Sequence, residues 1–132
     1  MARLKAWAGK GASPQRASPT KSAGEIWYFL NSALDIDDPN HTHHPGLIIG
    51  GEDDTVFVLK GTSDPTRHSD AFAVHPSDCD GKLRGSTYFS VASHYPIADT
   101  SSAFGYYVGN LSKETLARIR EYRHRALAEP KP

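Results

Sequence analysis

The sequence predicts a mostly β protein, a small barrel closed by one C-terminal helix. Short runs of β-branched and aromatic residues recur between turn signals over residues 24–109, and an apolar stripe at helical spacing follows Ser112. A length of 132 residues fits one domain with a modest core. Several short strands followed by a single helix are typical of such a barrel.

The first strand is predicted over residues 24–30, because that run is rich in β-branched and aromatic side chains. Residues 1–23 contain mostly Gly, Ala, Ser, Pro and Lys, and we expect them to form a flexible basic arm. Residues 31–45 are predicted to be a long polar loop that crowds Asp and His side chains together. Loops of this length in small domains are often functional.

A central hairpin over residues 44–63 organises the rest of the predicted fold. Leu47, Ile48 and Ile49 follow one another with no polar residue between them, which indicates a strand covered on both faces. Residues 50–54 supply the turn, and we expect Asp53 and Asp54 to lie in it. The predicted core positions of the first three strands are Ile26, Leu47, Ile49, Val56 and Val58.

The open end of this hairpin is the predicted working site. His44 precedes the first strand of the hairpin, and Thr62 and Ser63 end the second. Because the two strands of a hairpin run side by side, we expect His44 to lie within one side chain's reach of a hydroxyl.

The remaining elements follow in order. Strands are predicted over residues 70–75, 87–91 and 105–109, with turns over 61–69 and 77–86, and Pro96 marks residues 92–97 as an edge strand or an exit from the sheet. Ser112 is the predicted N-cap of a helix that runs to about residue 128. Its apolar stripe comprises Leu116, Ile119, Tyr122 and Ala126. The predicted domain is residues 24–128, followed by a tail over 129–132.

The charge is zero overall but unevenly distributed. Residues 24–110 carry twelve acidic side chains against four basic ones, while residues 1–23 carry five basic side chains and no acid. Residues 111–132 carry six basic side chains against three acidic ones. Nucleic-acid binding must therefore use the basic ends or a local patch, and docking of a basic partner on the acidic body is the alternative.

Composition also limits where the protein acts. No apolar run approaches the length of a membrane span, and the first residues lack the apolar segment of a secretion signal, so we expect a cytoplasmic protein that does not contact a membrane. The single Cys79 cannot form an internal disulfide. Neighbouring carboxylates disfavour its thiolate, so no role is predicted for it.

Four motifs together resemble the PemK/MazF family of toxins. They are Gly24-Glu25-Ile26-Trp27, the Pro-Gly-Leu-Ile-Ile strand at residues 45–49, Gly-Thr-Ser at 61–63, and Gly109-Asn110-Leu111 leading into the helix. The match covers about residues 24–128 in the expected order and spacing. The resemblance implies an SH3-like barrel, a homodimer, and a metal-independent endoribonuclease that cuts single-stranded mRNA at short sequences. It also implies no cofactor and inhibition by a cognate antitoxin.

The family's usual Arg and Thr correspond here to His44 and Thr62, with Ser63 adjacent. Metal-free RNA cleavage needs a base, an acid and donors that stabilise the charged phosphorane. His44 and His94 are the candidate base and acid, since histidine titrates near neutral pH. The candidate substrate-binding residues are Arg67, Arg84, Glu25 and Tyr95.

Other interpretations of the same residues stay open. The barrel could lack catalysis and act as a protein-binding or nucleic-acid-binding module. Alternatively, His41, His43 and His44 with the nearby Asp residues could hold a metal and support a metal-dependent hydrolase. Thr62 and Ser63 could only cap a turn. Tyr88, Tyr106 and Tyr107 are expected in the core or a dimer interface, and the helix arginines are either solvated or contact phosphate or an antitoxin.

Overall fold

The computed structural model describes residues 20–128. The predicted tail and all but the last four residues of the predicted arm lie outside this range. The elements are β1 (Glu25–Leu30), a 3-10 turn (Asn31–Leu34), β2 (His43–Glu52), β3 (Thr55–Thr62), β4 (Ala71–Val74), a 3-10 turn (Pro76–Asp78), β5 (Cys79–Gly81), β6 (Thr87–Ser90), β7 (Tyr95–Ala98), β8 (Phe104–Leu111) and α1 (Lys113–Ala128).

The strands form one antiparallel sheet that bends into a half-barrel against α1. Their order is β4-β6-β3-β2-β1-β8-β5, and β7 pairs separately with β3. β3 is shared along its length, because residues 55–58 pair with β7 and residues 61–62 pair with β6. The predicted fold class, a small β barrel with a C-terminal helix, is confirmed.

β2 is buried on both faces, as its sequence predicts. Leu47 belongs to a core cluster that includes Ile119 of α1, and Ile48 belongs to a second cluster with Phe29 and Val58. Both β2 side chains are fully buried. Alternate residues of this strand therefore join the two halves of the core.

Ile49 is a predicted core residue, but in the structure it is only half-buried. The β2–β3 register shifts between Ile48 and Gly50, which is a β-bulge that turns the strand at this point. The carbonyl of Ile49 instead accepts a hydrogen bond from Nη2 of Arg120 at 2.6 Å. The other four predicted core positions, Ile26, Leu47, Val56 and Val58, are fully buried.

Two segments differ from their predicted secondary structure. Residues 31–45 are not one long loop, because Asn31–Leu34 form a 3-10 turn and β2 already begins at His43, where it pairs with Leu30. The predicted turn over 77–86 contains β5, which pairs with the end of β8. A strand of three residues held by backbone hydrogen bonds leaves no alternating pattern in the sequence.

The hairpin turn, the edge strand and the helix follow their predictions. Asp53 occupies the left-handed region with φ 57°, in a tight turn with Asp54. β7, which contains Pro96, pairs only with β3 and is an edge strand. The Oγ of Ser112 accepts the backbone N–H of Thr115 at 3.1 Å, so Ser112 caps α1.

The start of the described chain is attached to the sheet by a buried carboxylate. Asp99 accepts hydrogen bonds from the backbone N–H of Thr20 (3.0 Å), from the Thr20 hydroxyl (2.8 Å) and from the backbone N–H of Lys21 (3.1 Å). These hydrogen bonds, first of all that from the Thr20 N–H, lower the pKa of Asp99.

Within residues 20–128, no helix is both long enough and apolar enough to cross a membrane.

Replacement of Gly46 by alanine tests the close packing around β2. A Cβ at this position would lie 2.6 Å from Phe29 Cδ1 and 2.6 Å from Val58 Cγ1. We expect Gly46→Ala to lower the free energy of unfolding by about 1–3 kcal/mol, the usual cost of overpacking a core. Urea denaturation measures this change.

Gly50→Ala in the same strand is the matched control, since a Cβ there has no atom within 4 Å. It is expected to leave stability unchanged or slightly raised. Equal destabilisation by the two variants would contradict the packing argument.

Candidate active site

A cleft of about 380 Å³ opens where the β2–β3 hairpin meets the segment before β6. Five of the eight predicted site residues line it: His44, Thr62, Ser63, Arg67 and Arg84. The lining also contains Asp38, His41 and His43 from the segment that leads into β2. The cleft therefore combines imidazole, carboxylate, hydroxyl and guanidinium groups in one place.

Strand pairing positions His44 in this cleft. β1 pairs with the first residues of β2, and Phe29 lies opposite His44. The next residue, Pro45, is buried. His44 therefore sits on a rigid strand within the sheet, rather than in the loop that the sequence predicts.

Asn31 fixes the tautomer of His44. The Asn31 amide nitrogen donates to the carbonyl oxygens of His41 (2.5 Å) and Asp38 (3.3 Å), so its amide oxygen must face the imidazole. That oxygen lies 2.7 Å from His44 Nδ1. Because an amide oxygen only accepts hydrogen bonds, Nδ1 carries a proton, and Nε2 is the nitrogen that titrates.

Asp38 lies beside that titrating nitrogen. His44 Nε2 is 3.3 Å from Asp38 Oδ2, and the same oxygen is 3.2 Å from His41 Nδ1. Burial lowers the pKa of His44, and the Asp38 carboxylate opposes this shift. The backbone N–H of Asn40 is the main cause of the lowered pKa of Asp38. At neutral pH the site thus holds an ionised carboxylate beside a half-buried imidazole whose pKa is lowered.

The hydroxyl of Thr62 organises the turn that follows β3. Its Oγ1 accepts the backbone N–H of Asp64 at 3.1 Å, and the Asp64 carboxylate accepts the N–H and hydroxyl of Thr66 at 2.9 and 2.7 Å. The backbone N–H of Arg67 in turn donates to the Asp64 carbonyl at 3.2 Å. Thr62 therefore caps a turn and retains its own O–H to donate into the cleft.

Arg67 and Arg84 supply positive charge on either side of the cleft. Both side chains are exposed, and neither forms a salt bridge with any acid among residues 20–128. Guanidinium groups of this kind suit the forked recognition of phosphate oxygens. Two cationic groups thus lie at a cleft whose lining also holds the carboxylates of Asp38 and Asp64.

Three predicted site residues do not line the cleft: His94, Tyr95 and Glu25. His94 Nδ1 lies 2.8 Å from Nη2 of Arg123 on α1. The ring of Tyr95 lies 5.4 Å from Lys60 Nζ, and Glu25 accepts the indole N–H of Trp27 at 2.9 Å. Tyr95, the first residue of β7, pairs with Val58 of β3, four residues before Thr62. His94 directly precedes β7 and therefore also lies away from the cleft.

Asn31 is the site residue that sequence reasoning missed, and its position directly after a strand is the only sequence signal for it. The sequence indicates Asp38 and His41 only as possible metal ligands. Among residues 20–128, no group of three or more His, Cys, Asp or Glu side chains is arranged to hold a metal ion. His41 Nδ1 and His44 Nε2 instead lie 3.2 and 3.3 Å from the same oxygen, Asp38 Oδ2.

Solved structures resemble this chain, although no protein-family model and no curated protein matches its sequence. One is an endoribonuclease in complex with its cognate antitoxin from a mycobacterial species, with a TM-score of 0.59 and 19% identity over 86% of this chain and 100% of that one. Another is a mycobacterial endoribonuclease, with a TM-score of 0.58 and 19% identity over 85% of this chain and 95% of that one. The fold that the PemK/MazF resemblance implied is therefore confirmed.

An NMR titration of His44 tests the electrostatics of the site. We expect His44 to titrate below the ordinary value of about 6.5, because burial disfavours its charged form. Asp38→Asn should lower the pKa of His44 further, since it removes the carboxylate that stabilises the imidazolium. Asp37→Asn, which removes the same charge from a neighbouring exposed residue, is the control and should have little effect.

The sign of the linked stability follows from the same shift. The unfolded chain binds a proton at His44 more readily than the folded chain, so this group's contribution to stability is present above about pH 6.5 and is lost as the pH falls through the folded pKa. A pKa of His44 above 6.5, or one that rises in Asp38→Asn, would contradict this account.

Proposed function

We propose that the chain is a metal-independent endoribonuclease toxin that cuts single-stranded RNA in the His44 cleft. The observation that carries the proposal is the juxtaposition in one cleft of a His–Asp pair, a hydroxyl donor and two guanidinium groups that form no salt bridge within residues 20–128. These are the groups that transesterification of RNA needs. The fold likeness to mycobacterial endoribonucleases supports the same activity.

The reaction assigns a role to each group in the cleft. His44 Nε2 takes the proton from a ribose 2′-hydroxyl, and the 2′-oxygen attacks the adjacent phosphorus. The Asp38 carboxylate, 3.3 Å from Nε2, stabilises the imidazolium that forms when Nε2 has taken the proton. The P–O5′ bond then breaks, which leaves a 2′,3′-cyclic phosphate and a 5′-hydroxyl.

His41 replaces His94 as the candidate acid for the leaving 5′-oxygen. Its ring lies 6.2 Å from the His44 ring, and its Nδ1 contacts Asp38, so Nε2 is the nitrogen that can deliver a proton. Arg67 and Arg84 bind the phosphate and stabilise the charge of the phosphorane, with the Thr62 hydroxyl as a further donor. The recognition of short RNA sequences is part of the proposal.

The second candidate function is a barrel that binds RNA or a protein without catalysis. One observation favours it: both ring nitrogens of His44 already have partners, Asn31 and Asp38. Histidine also lacks the permanent charge and forked donors of the arginine that the family usually has at this position.

Inhibition by a cognate antitoxin, homodimer formation and action in the cytoplasm complete the proposal. One of the structural relatives was solved with its cognate antitoxin. Arg118 and Arg125 of α1 are exposed and lie seven residues apart on the same side of the helix, a spacing suited to an acidic partner segment.

RNA cleavage by purified protein in EDTA tests the proposed activity. We expect the wild type to leave 2′,3′-cyclic phosphate ends and His44→Ala to lose about 10²–10⁴-fold in rate, the usual contribution of a general base. His124→Ala, an exposed histidine on α1, is the control and should cut normally. His94→Ala should also cut normally. A loss of activity in this variant would identify His94, and not His41, as the acid.

No cutting by folded wild type, or cutting that EDTA abolishes, would refute the proposed activity. Retention of RNA binding without cutting would instead identify the second candidate function.

Growth of cells on induced expression tests the toxin role separately. We expect expression of the wild type to arrest growth and His44→Ala, at equal protein level, to permit it, since the arrest depends on RNA cleavage. Colony counts after induction measure the difference. Arrest by both proteins would show that the toxicity has another cause.

A further inference from the structure

A second cavity of about 240 Å³ adjoins the His44 cleft. Tyr28 and Arg84 line both cavities, so the two form one continuous surface. The residues that line only the second cavity are Lys82, Tyr106, Tyr107 and Val108. Tyr106, which the sequence predicts in the core or a dimer interface, belongs to neither core cluster of the described chain.

Tyr106 is held as a rigid aromatic platform. Its ring stacks on that of Tyr28, with 4.8 Å between the ring centroids and 11° between the planes. Tyr106 is nevertheless 60% exposed, because Tyr28 covers one ring face and leaves the other open. A ring that is already fixed loses little conformational entropy when a ligand stacks on it.

Positive charge flanks this platform. The backbone N–H of Lys82 donates to the Val108 carbonyl at 3.0 Å, which holds the segment after β5 beside β8. The side chains of Lys82 and Arg84 are exposed and have no acidic partner among residues 20–128. Burial and the neighbouring Tyr106 raise the pKa of Tyr28, so its hydroxyl adds no negative charge.

We propose that this cavity is a nucleobase subsite, in which the open face of Tyr106 stacks on the base of a nucleotide next to the scissile phosphate. Arg84, which borders both cavities, binds the phosphate between that nucleotide and the His44 cleft. The inference rests on the proposed function and adds a subsite to it. Every base has a π face, so the subsite accepts any base and strengthens binding without selecting sequence.

The test is the binding of a short 2′-O-methyl RNA, which lacks the attacking hydroxyl, measured by fluorescence anisotropy. Tyr106→Ala should weaken binding roughly 5- to 100-fold, the range for loss of one base–aromatic stack. Tyr106→Phe keeps the ring and should bind like the wild type. The Tyr106 side chain is mostly exposed, so neither substitution is expected to disturb the fold.

A double-mutant cycle with abasic RNA identifies the stacked base. Removal of the base at one position should weaken binding to the wild type by the same factor as Tyr106→Ala, and the two changes together should cost no more than either alone. Additive losses at every abasic position, unchanged affinity in Tyr106→Ala, or no binding by the wild type at low salt would each overturn the subsite.

Sedimentation and cleavage assays distinguish the base subsite from a self-interface and from the proposed nuclease activity. A change of oligomeric mass in Tyr106→Ala with unaltered RNA affinity would identify the surface as a self-interface and overturn the proposal. Cleavage that is insensitive to Tyr106→Ala would overturn the subsite and leave the nuclease intact. Binding that depends on Tyr106 in a protein that does not cut would support the subsite and refute the nuclease.

Discussion

The burial of β2 on both faces is the constraint on which the rest of the structure depends. Leu47 and Ile48 enter different core clusters, so a shift of one residue in the register would exchange the two sets of side chains. This register places His44 opposite Phe29 at one end of the strand. It also places the bulge at Ile49 further along the strand, where the Ile49 carbonyl accepts a hydrogen bond from Arg120. The core therefore determines both the attachment of the helix and the position of the candidate base.

The candidate active site combines one rigid histidine with a polar network that the fold assembles locally. Asn31, directly after β1, orients Nδ1 of His44, and Asp38 faces Nε2. An arginine at this position would bring a permanent charge, whereas the half-buried imidazole can exchange a proton. The chemistry proposed for the cleft follows from this difference, with Arg67 and Arg84 supplying the permanent charge from other segments.

The distribution of charge and aromatic surface reconciles the acidic body of the protein with the proposed RNA substrate. Residues 24–110 carry an excess of acidic side chains, yet Asp64 and Asp99 are occupied by hydrogen bonds to nearby backbone and hydroxyl groups. Arg67, Lys82 and Arg84, which form no salt bridge within residues 20–128, line the two adjoining cavities. Screening by salt shortens the reach of the carboxylates outside the cleft, so the groups that line the cavities dominate at contact distance.

The sequence by itself determined the β-barrel class, the two-sided burial of β2 and the Ser112 cap. It also determined that His44, Thr62 and Ser63 line one cleft at the open end of the hairpin. These features follow from periodicity, caps and the pairing of adjacent strands, which are local properties. Only the tertiary structure decided the partners of His44, the exclusion of His94 from the cleft and the short strand β5. Those depend on which distant segments the folded sheet brings together, as with Asn31 and Asp38, and on backbone hydrogen bonds that no side-chain pattern records.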